Sequence, residues 1–203
     1  VHTITLSSAL PIIIEPTVID GSTQPGSSCG DMVPNAQNTA NTPHTLQIEI
    51  GGQNAYDILR FGASADGSII RGLALNHTTK ALHIESPNTT VQCNYIGTSS
   101  DGATYQTGYM AATMSADNLV LGNNLFAQIR FDYPLDDSDK LQNLQYKNNI
   151  AGVNVALTGA LASSTIGTVV ELFGLQNAVI GGDPTEANVF GGSSASWVWY
   201  ANL

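Results

Sequence analysis

Four short phrases recur along this 203-residue chain, each an apolar segment, then Gly, Cys or Asn, then a second apolar segment. They read Ile70-Arg-Gly-Leu-Ala-Leu75, Val91-Gln-Cys-Asn-Tyr-Ile96, Val120-Leu-Gly-Asn-Asn-Leu125 and, more loosely, Leu144-Gln-Tyr-Lys-Asn-Asn-Ile150. A weaker echo follows at Ala178-Val-Ile-Gly-Gly182. Recurrence of this kind marks repeat architectures, in which each unit buries its apolar face only against its neighbours. β-branched residues favour pleated strands, and Gly or Asn tolerates the left-handed backbone of a sharp bend. Each phrase therefore describes strand, bend, strand, which is one rung of a parallel β-helix.

Asn94, Asn123 and Asn148 fall at equivalent places in the phrases, with Asn124 and Asn149 beside the last two. Stacked on successive rungs, such amides bond along the axis as a structural ladder at the turns. A row of sugar-binding amides is the competing reading. Tight Asp-Gly turns at 20–21, 66–67 and 101–102 allow local hairpins, but no segment longer than about ten residues carries helical periodicity. Only the Ala/Leu-rich stretch 155–166 leaves room for a short helix.

The expected fold is all-β, a single-stranded solenoid forming one domain over residues 1–203. The first residues, Val1-His-Thr-Ile-Thr-Leu6, already read as strand, so the expectation is a piece of a longer precursor. Residues 21–44 are rich in Gly, Pro, Ser, Asn and Thr and form a long N-terminal loop, of a length that usually serves function or caps an end. Residues 128–147 and 151–176 fit the repeat poorly and are expected as irregular insertions that bulge from the coil.

Charge narrows the partners. Only 11% of residues are charged, against a usual value of about 25%. Six Lys and Arg face sixteen Asp and Glu, for a net charge of −10. A nucleic-acid face cannot be built from so few cations, and an anionic membrane surface is disfavoured for the same reason. No apolar run approaches the roughly 20 residues that span a bilayer. The acidic, Thr/Asn/Gly-rich composition predicts an extracellular or cell-surface location. There, Cys29 and Cys93 either form one disulfide or remain two thiols. The sequons Asn76-His-Thr and Asn88-Thr-Thr read as chance in so Asn/Thr-rich a chain.

The opening stretch His2-Thr-Ile-Thr-Leu-Ser-Ser-Ala-Leu-Pro-Ile-Ile and its continuation Val18-Ile-Asp-Gly-Ser-Thr-Gln-Pro-Gly26 resemble the start of bacterial secreted right-handed parallel β-helix repeat proteins. Ser68–Leu75, Asn88–Thr98 with Asp101-Gly102, and Asn177–Gly182 with Asn188–Gly192 are similar to later repeats of that family. Cys93 departs from the Gly usual at its place. The resemblance implies a right-handed, pectate-lyase-like superhelix in an extracellular setting. It implies no reaction, because a fold does not carry a function by itself.

Candidate chemistry is sparse. Asp136, Asp137 and Asp139 form the one acidic cluster, read either as a solvated turn or as a calcium site of oxygen ligands. No other cofactor is expected. Hydrolysis of a glycan needs two carboxylates roughly 5 to 9 Å apart, and lyase chemistry needs a base beside cations such as Arg60, Arg71, Lys80 or Arg130. His44, His77 and His83 lack partners at metal-ligand or triad spacing. No catalytic residue is assigned. Trp197, Trp199 and Tyr200 either fill a last rung or form an assembly contact. The expected role is an extracellular structural or adhesive module, self-assembling end to end into surface filaments. Its partners are then copies of itself or neighbouring domains of the same precursor. A polysaccharide lyase or glycoside hydrolase acting on an extracellular polysaccharide is the alternative.

Overall fold

The computed structural model describes residues 1–34, 41–107, 110–131, 141–161, 169–172 and 174–191. Every pair of strands in it is parallel, and no α-helix occurs among the described residues. A first sheet holds, in spatial order, β1 (His2–Thr5), β3 (Ile48–Gly51), β6 (Leu73–Asn76), β9 (Tyr95–Ile96), β12 (Leu125–Phe126), β16 (Ile150–Ala151) and β20 (Val189–Phe190). A second holds β4 (Leu59–Phe61), β7 (Lys80–Ile84), β10 (Met110–Met114), β13 (Ile129–Phe131) and β17 (Val170–Leu172). The third holds β2 (Val18–Asp20), β5 (Ile69–Arg71), β8 (Thr90–Gln92), β11 (Val120–Gly122), β15 (Gln145–Lys147) and β19 (Val179–Ile180). A short pair, β14 (Leu141–Gln142) and β18 (Leu175–Gln176), sits between the second and third.

From β3 onward the chain visits the first, second and third sheets in that cyclic order, and each returning strand pairs with the one laid down a circuit earlier. The order is compatible with a β-helix-like solenoid. Strand alternation of period 2 explains why the circuits stack. Ile70, Val91, Leu121 and Tyr146 lie in register on the third sheet. Leu82, Ala112 and Ile129, with Ile84, Met114 and Phe131, do so on the second. All are buried in one apolar cluster with Leu75, Ile96 and Phe126 of the first sheet. Burying each large side chain contributes about 1.5–3 kcal/mol.

Two expectations need correction. The stretches 128–147 and 151–176 are not simply insertions: they supply β13, β14 and β15, then β16 in part, β17 and β18. Ile129-Arg-Phe131 and Val170-Glu-Leu172 alternate apolar and charged residues in register, so they extend the second sheet by two strands. Of the stretch 155–166, residues 155–161 form a turn closed by an antiparallel bridge between Val153 and Ala160, with no helix.

The first sheet is apolar on both faces. Ala74, Tyr95, Leu125 and Ile150 share one row and form a second buried cluster with Met32, Val33, Leu46, Val155 and Leu161. The described residues of the long N-terminal loop, 21–34 and 41–44, therefore form a strap on the flank of the stack.

One defect lies inside the core. The Tyr146 hydroxyl is buried and has no hydrogen-bond partner among the described residues, while its ring packs against Phe126 and Phe131 at centroid distances of 6.2 and 6.0 Å. An orphaned buried polar group costs about 1–3 kcal/mol. Tyr146→Phe keeps the ring and removes the orphan, so the urea midpoint is expected to rise, by about 1 kcal/mol of stability.

Candidate functional site

The recurring phrases sit where the third sheet hands the chain to the first. Gly72, Cys93, Asn123, Asn148 and Gly181 occupy this corner in the left-handed region, with φ of 72°, 57°, 56°, 56° and 86°. The residue after the bend carries the ladder. Asn94 Nδ2 donates to Asn124 Oδ1 at 3.1 Å, and Asn124 Nδ2 donates to Asn149 Oδ1 at 3.0 Å. Asn149 Nδ2 reaches Asn188 Oδ1 at 3.4 Å. Each amide also takes up backbone groups that the bend removes from the sheets. Asn124, for example, accepts from the Asn94 N–H at 3.1 Å and donates to the Val91 carbonyl at 2.9 Å. The ladder thus runs through Asn94, Asn124, Asn149 and Asn188, and the sequence-based placement at Asn123 and Asn148 is one residue early. Those two make the bend instead, because Asn tolerates a positive φ.

The strap is fastened at the same corner. Cys29 and Cys93 are joined as a disulfide, with Cα atoms 5.7 Å apart. Asn123 Nδ2 donates to the Gly30 carbonyl at 2.6 Å, and Asn41 Nδ2 donates to the Val155 carbonyl. His44, which stands at no metal-ligand or triad spacing in the sequence, is the buried key. Its Nδ1 accepts from the Gly30 N–H at 2.9 Å, and its Nε2 lies 2.7 Å from the Asn123 carbonyl. An amide donor on one side and a carbonyl acceptor on the other require the neutral Nε2–H tautomer. Its ring stacks on Tyr95 at 5.3 Å, and Tyr95 Oη donates to the His44 carbonyl at 3.2 Å.

Burial holds the His44 pKa down at about 4, partly opposed by the bond to Asn123. The unfolded chain then binds the proton first as the pH falls. The stabilisation is complete above about 6.5 and is lost progressively between 6.5 and about 4. At about 1.4 kcal/mol per pH unit, up to about 3 kcal/mol is at stake. His83, also shifted down by burial, acts in the same direction, so His44→Gln is the control. Urea midpoints measured at pH 7 and 4.5 are expected to separate less in that variant than in the native chain.

The outer face of the second sheet gathers charge. Arg60, His83, Thr113, Arg130 and Glu171 form one row across its five strands. Glu85 lies 2.7 Å from Arg60 and 3.3 Å from His83 Nε2, and Glu171 pairs with Arg130 at 3.4 Å. Glu85 and Glu171 are separated by three strand spacings of about 4.8 Å, roughly 14 Å. That exceeds the roughly 5–9.5 Å of a glycosidase acid pair. Arg71, on the third sheet, is held by Asp20 at 2.6 Å, and that bond keeps the Asp20 carboxyl below its ordinary range.

At the N-terminal end, β1 pairs only with β3 and β2 only with β5, so the far edges of both have no partner among the described residues. Ile4, Leu10, Ile12, Ile14 and Val18 are exposed around this end, Ile14 and Val18 at 61% each. Asp136, Asp137, Asp139, Trp197, Trp199 and Tyr200 lie outside the described residues. Among the described residues no group of three or more His, Cys, Asp or Glu could hold a metal ion, and no helix is long and apolar enough to cross a membrane. No family model, no curated protein and no solved structure matches the chain.

Proposed function

We propose that this chain is an extracellular structural or adhesive module, a right-handed parallel β-helix that stacks end to end with copies of itself or with neighbouring β-helical segments. The observation that carries this reading is the N-terminal edge, where the far sides of β1 and β2 have no partner among the described residues and Ile4, Leu10, Ile12, Ile14 and Val18 are exposed. Unpaired strand edges template further pairing, and contiguous exposed apolar groups mark contact surfaces. Right-handedness accords with the strong preference of parallel crossovers and with the resemblance of the opening stretch to secreted β-helix repeat proteins. The disulfide supports the extracellular setting, since disulfides persist in oxidising compartments.

Electron microscopy combined with light scattering tests it. Regular filaments or higher oligomers are expected from the native chain, and Ile12→Lys with Ile14→Lys is expected to return monomers that unfold at an unchanged midpoint. A native chain that stays a clean 21.3 kDa monomer sinks the reading. A second reading, a polysaccharide lyase, is favoured by Arg60, His83 and Arg130 on the charged outer face of the second sheet. It expects polymer cleavage that is lost in His83→Ala.

A further inference from the structure

The outward row of the third sheet runs Asp20, Arg71, Gln92, Gly122, Lys147 on β2, β5, β8, β11 and β15, charged or polar at every place but Gly122. Nothing in the backbone explains the exception. Gly122 is not among the residues with positive φ, and a Cβ built there would meet only the Lys147 carbonyl oxygen, at 3.9 Å. Glycine inside a strand costs stability, and where neither turn nor crowding demands it, it marks a place where something else approaches closely. The missing side chain leaves a notch of about 270 Å³ between Gln92 and Lys147, near the small end of ligand sites, which start at roughly 300 Å³.

The walls define what fits. Gln92, Gln145 and Asn148 bring side-chain amides to the notch beside Asn123, whose amide is tied to the Gly30 carbonyl, and Val120, 37% exposed, gives it an apolar patch. Lys147 Nζ is already held by Glu186 Oε1 at 3.0 Å, so the wall presents no free cation for an anionic group. The net charge of −10 further repels a polyanion. Asn148 Oδ1 is shielded from solvent and has no hydrogen-bond partner among the described residues. Amides donate and accept at once, which suits neighbouring hydroxyls, and a C–H face suits Val120.

We infer that this notch is a binding subsite for a pyranose unit of a neutral glycan, seated over Gly122, with hydroxyls on Gln92, Gln145 and Asn148. The site lies on the flank of the stack and does not depend on end-to-end assembly. Monomeric protein would still bind, and assembled protein need not.

Saturation-transfer NMR on the unmodified chain tests it, because it reads the free sugar whatever the size of the protein. Cellotriose, maltotriose and mannotriose are the probes, with trigalacturonate as the charged comparison. At least one neutral trisaccharide is expected to bind with a Kd of about 1 mM or tighter. Gly122→Leu, which fills the notch, is expected to weaken that binding about tenfold or more at an unchanged melting temperature. Gln92→Ala with Gln145→Ala should do the same without adding bulk, which covers a failure of the leucine variant to fold. Absence of binding by all three neutral sugars at about 10 mM overturns the proposal. So does equal or tighter binding of trigalacturonate, or binding that both sets of variants leave intact.

Discussion

Asn124→Ala is expected to destabilise the chain by about 3–5 kcal/mol, the largest loss from any single side chain described above. The substitution strips the Asn94 N–H of its acceptor and the Val91 carbonyl of a donor, and leaves Asn149 Oδ1 only the Asn124 N–H, all at a corner where Asn94, Asn124 and Asn149 are fully buried. Each buried group left unsatisfied costs about 1–3 kcal/mol. Since whole domains are stable by only about 5–15 kcal/mol, such a loss is a large fraction of the total. Asn148→Gly is the discriminating partner. That residue has φ of 56° and an Oδ1 with no partner among the described residues, so glycine fits its backbone and forfeits little. Urea denaturation of both variants decides the matter: equal losses would mean that the ladder is not what holds the corner.

Breaking the Cys29–Cys93 bond is expected to cost about 4 kcal/mol, the loop entropy released by a cross-link spanning 64 residues. The consequence is also local. The disulfide, Asn123 and His44 fasten the strap, and the strap covers Tyr95, Leu125 and Ile150. Reduction should therefore increase protease cleavage within residues 21–34 and raise the binding of a hydrophobic dye before global unfolding. Cys93→Gly separates the two contributions, because glycine relieves the left-handed strain at φ 57° while removing the tie. An unchanged midpoint on reduction, together with an uncut strap, would show that the noncovalent contacts alone hold it.

The stacking of circuits was legible because the four phrases repeat one corner, with Gly72, Cys93, Asn123 and Asn148 in equivalent positions. The ladder was misplaced by a residue for a simple reason. Asn123-Asn124 and Asn148-Asn149 are doublets, and composition cannot say which member bends and which bonds. Only Cys93, followed by a single Asn94, breaks that degeneracy. The charged row of Arg60, His83, Arg130 and Glu171 was hidden because ladder bonds already span separations of 30, 25 and 39 residues, so no fixed period aligns the circuits. The strap was hidden differently: its Met32 and Val33 read as a loop until the apolar outer face of the first sheet gives them something to cover. Gly122, one glycine among twenty, carries no local sign that neither a turn nor crowding requires it.

The cross-link has a mechanical meaning as well. Pulled from its two ends, the oxidised chain would route tension through Cys29 and Cys93, so the strands β3 to β8 between them would never feel the load. At about 3.5 Å per residue, the 64 residues so bypassed amount to about 220 Å of extension that only a reduced chain can pay out. In a thread made of such units, each disulfide would set a fixed limit on how far one link can stretch.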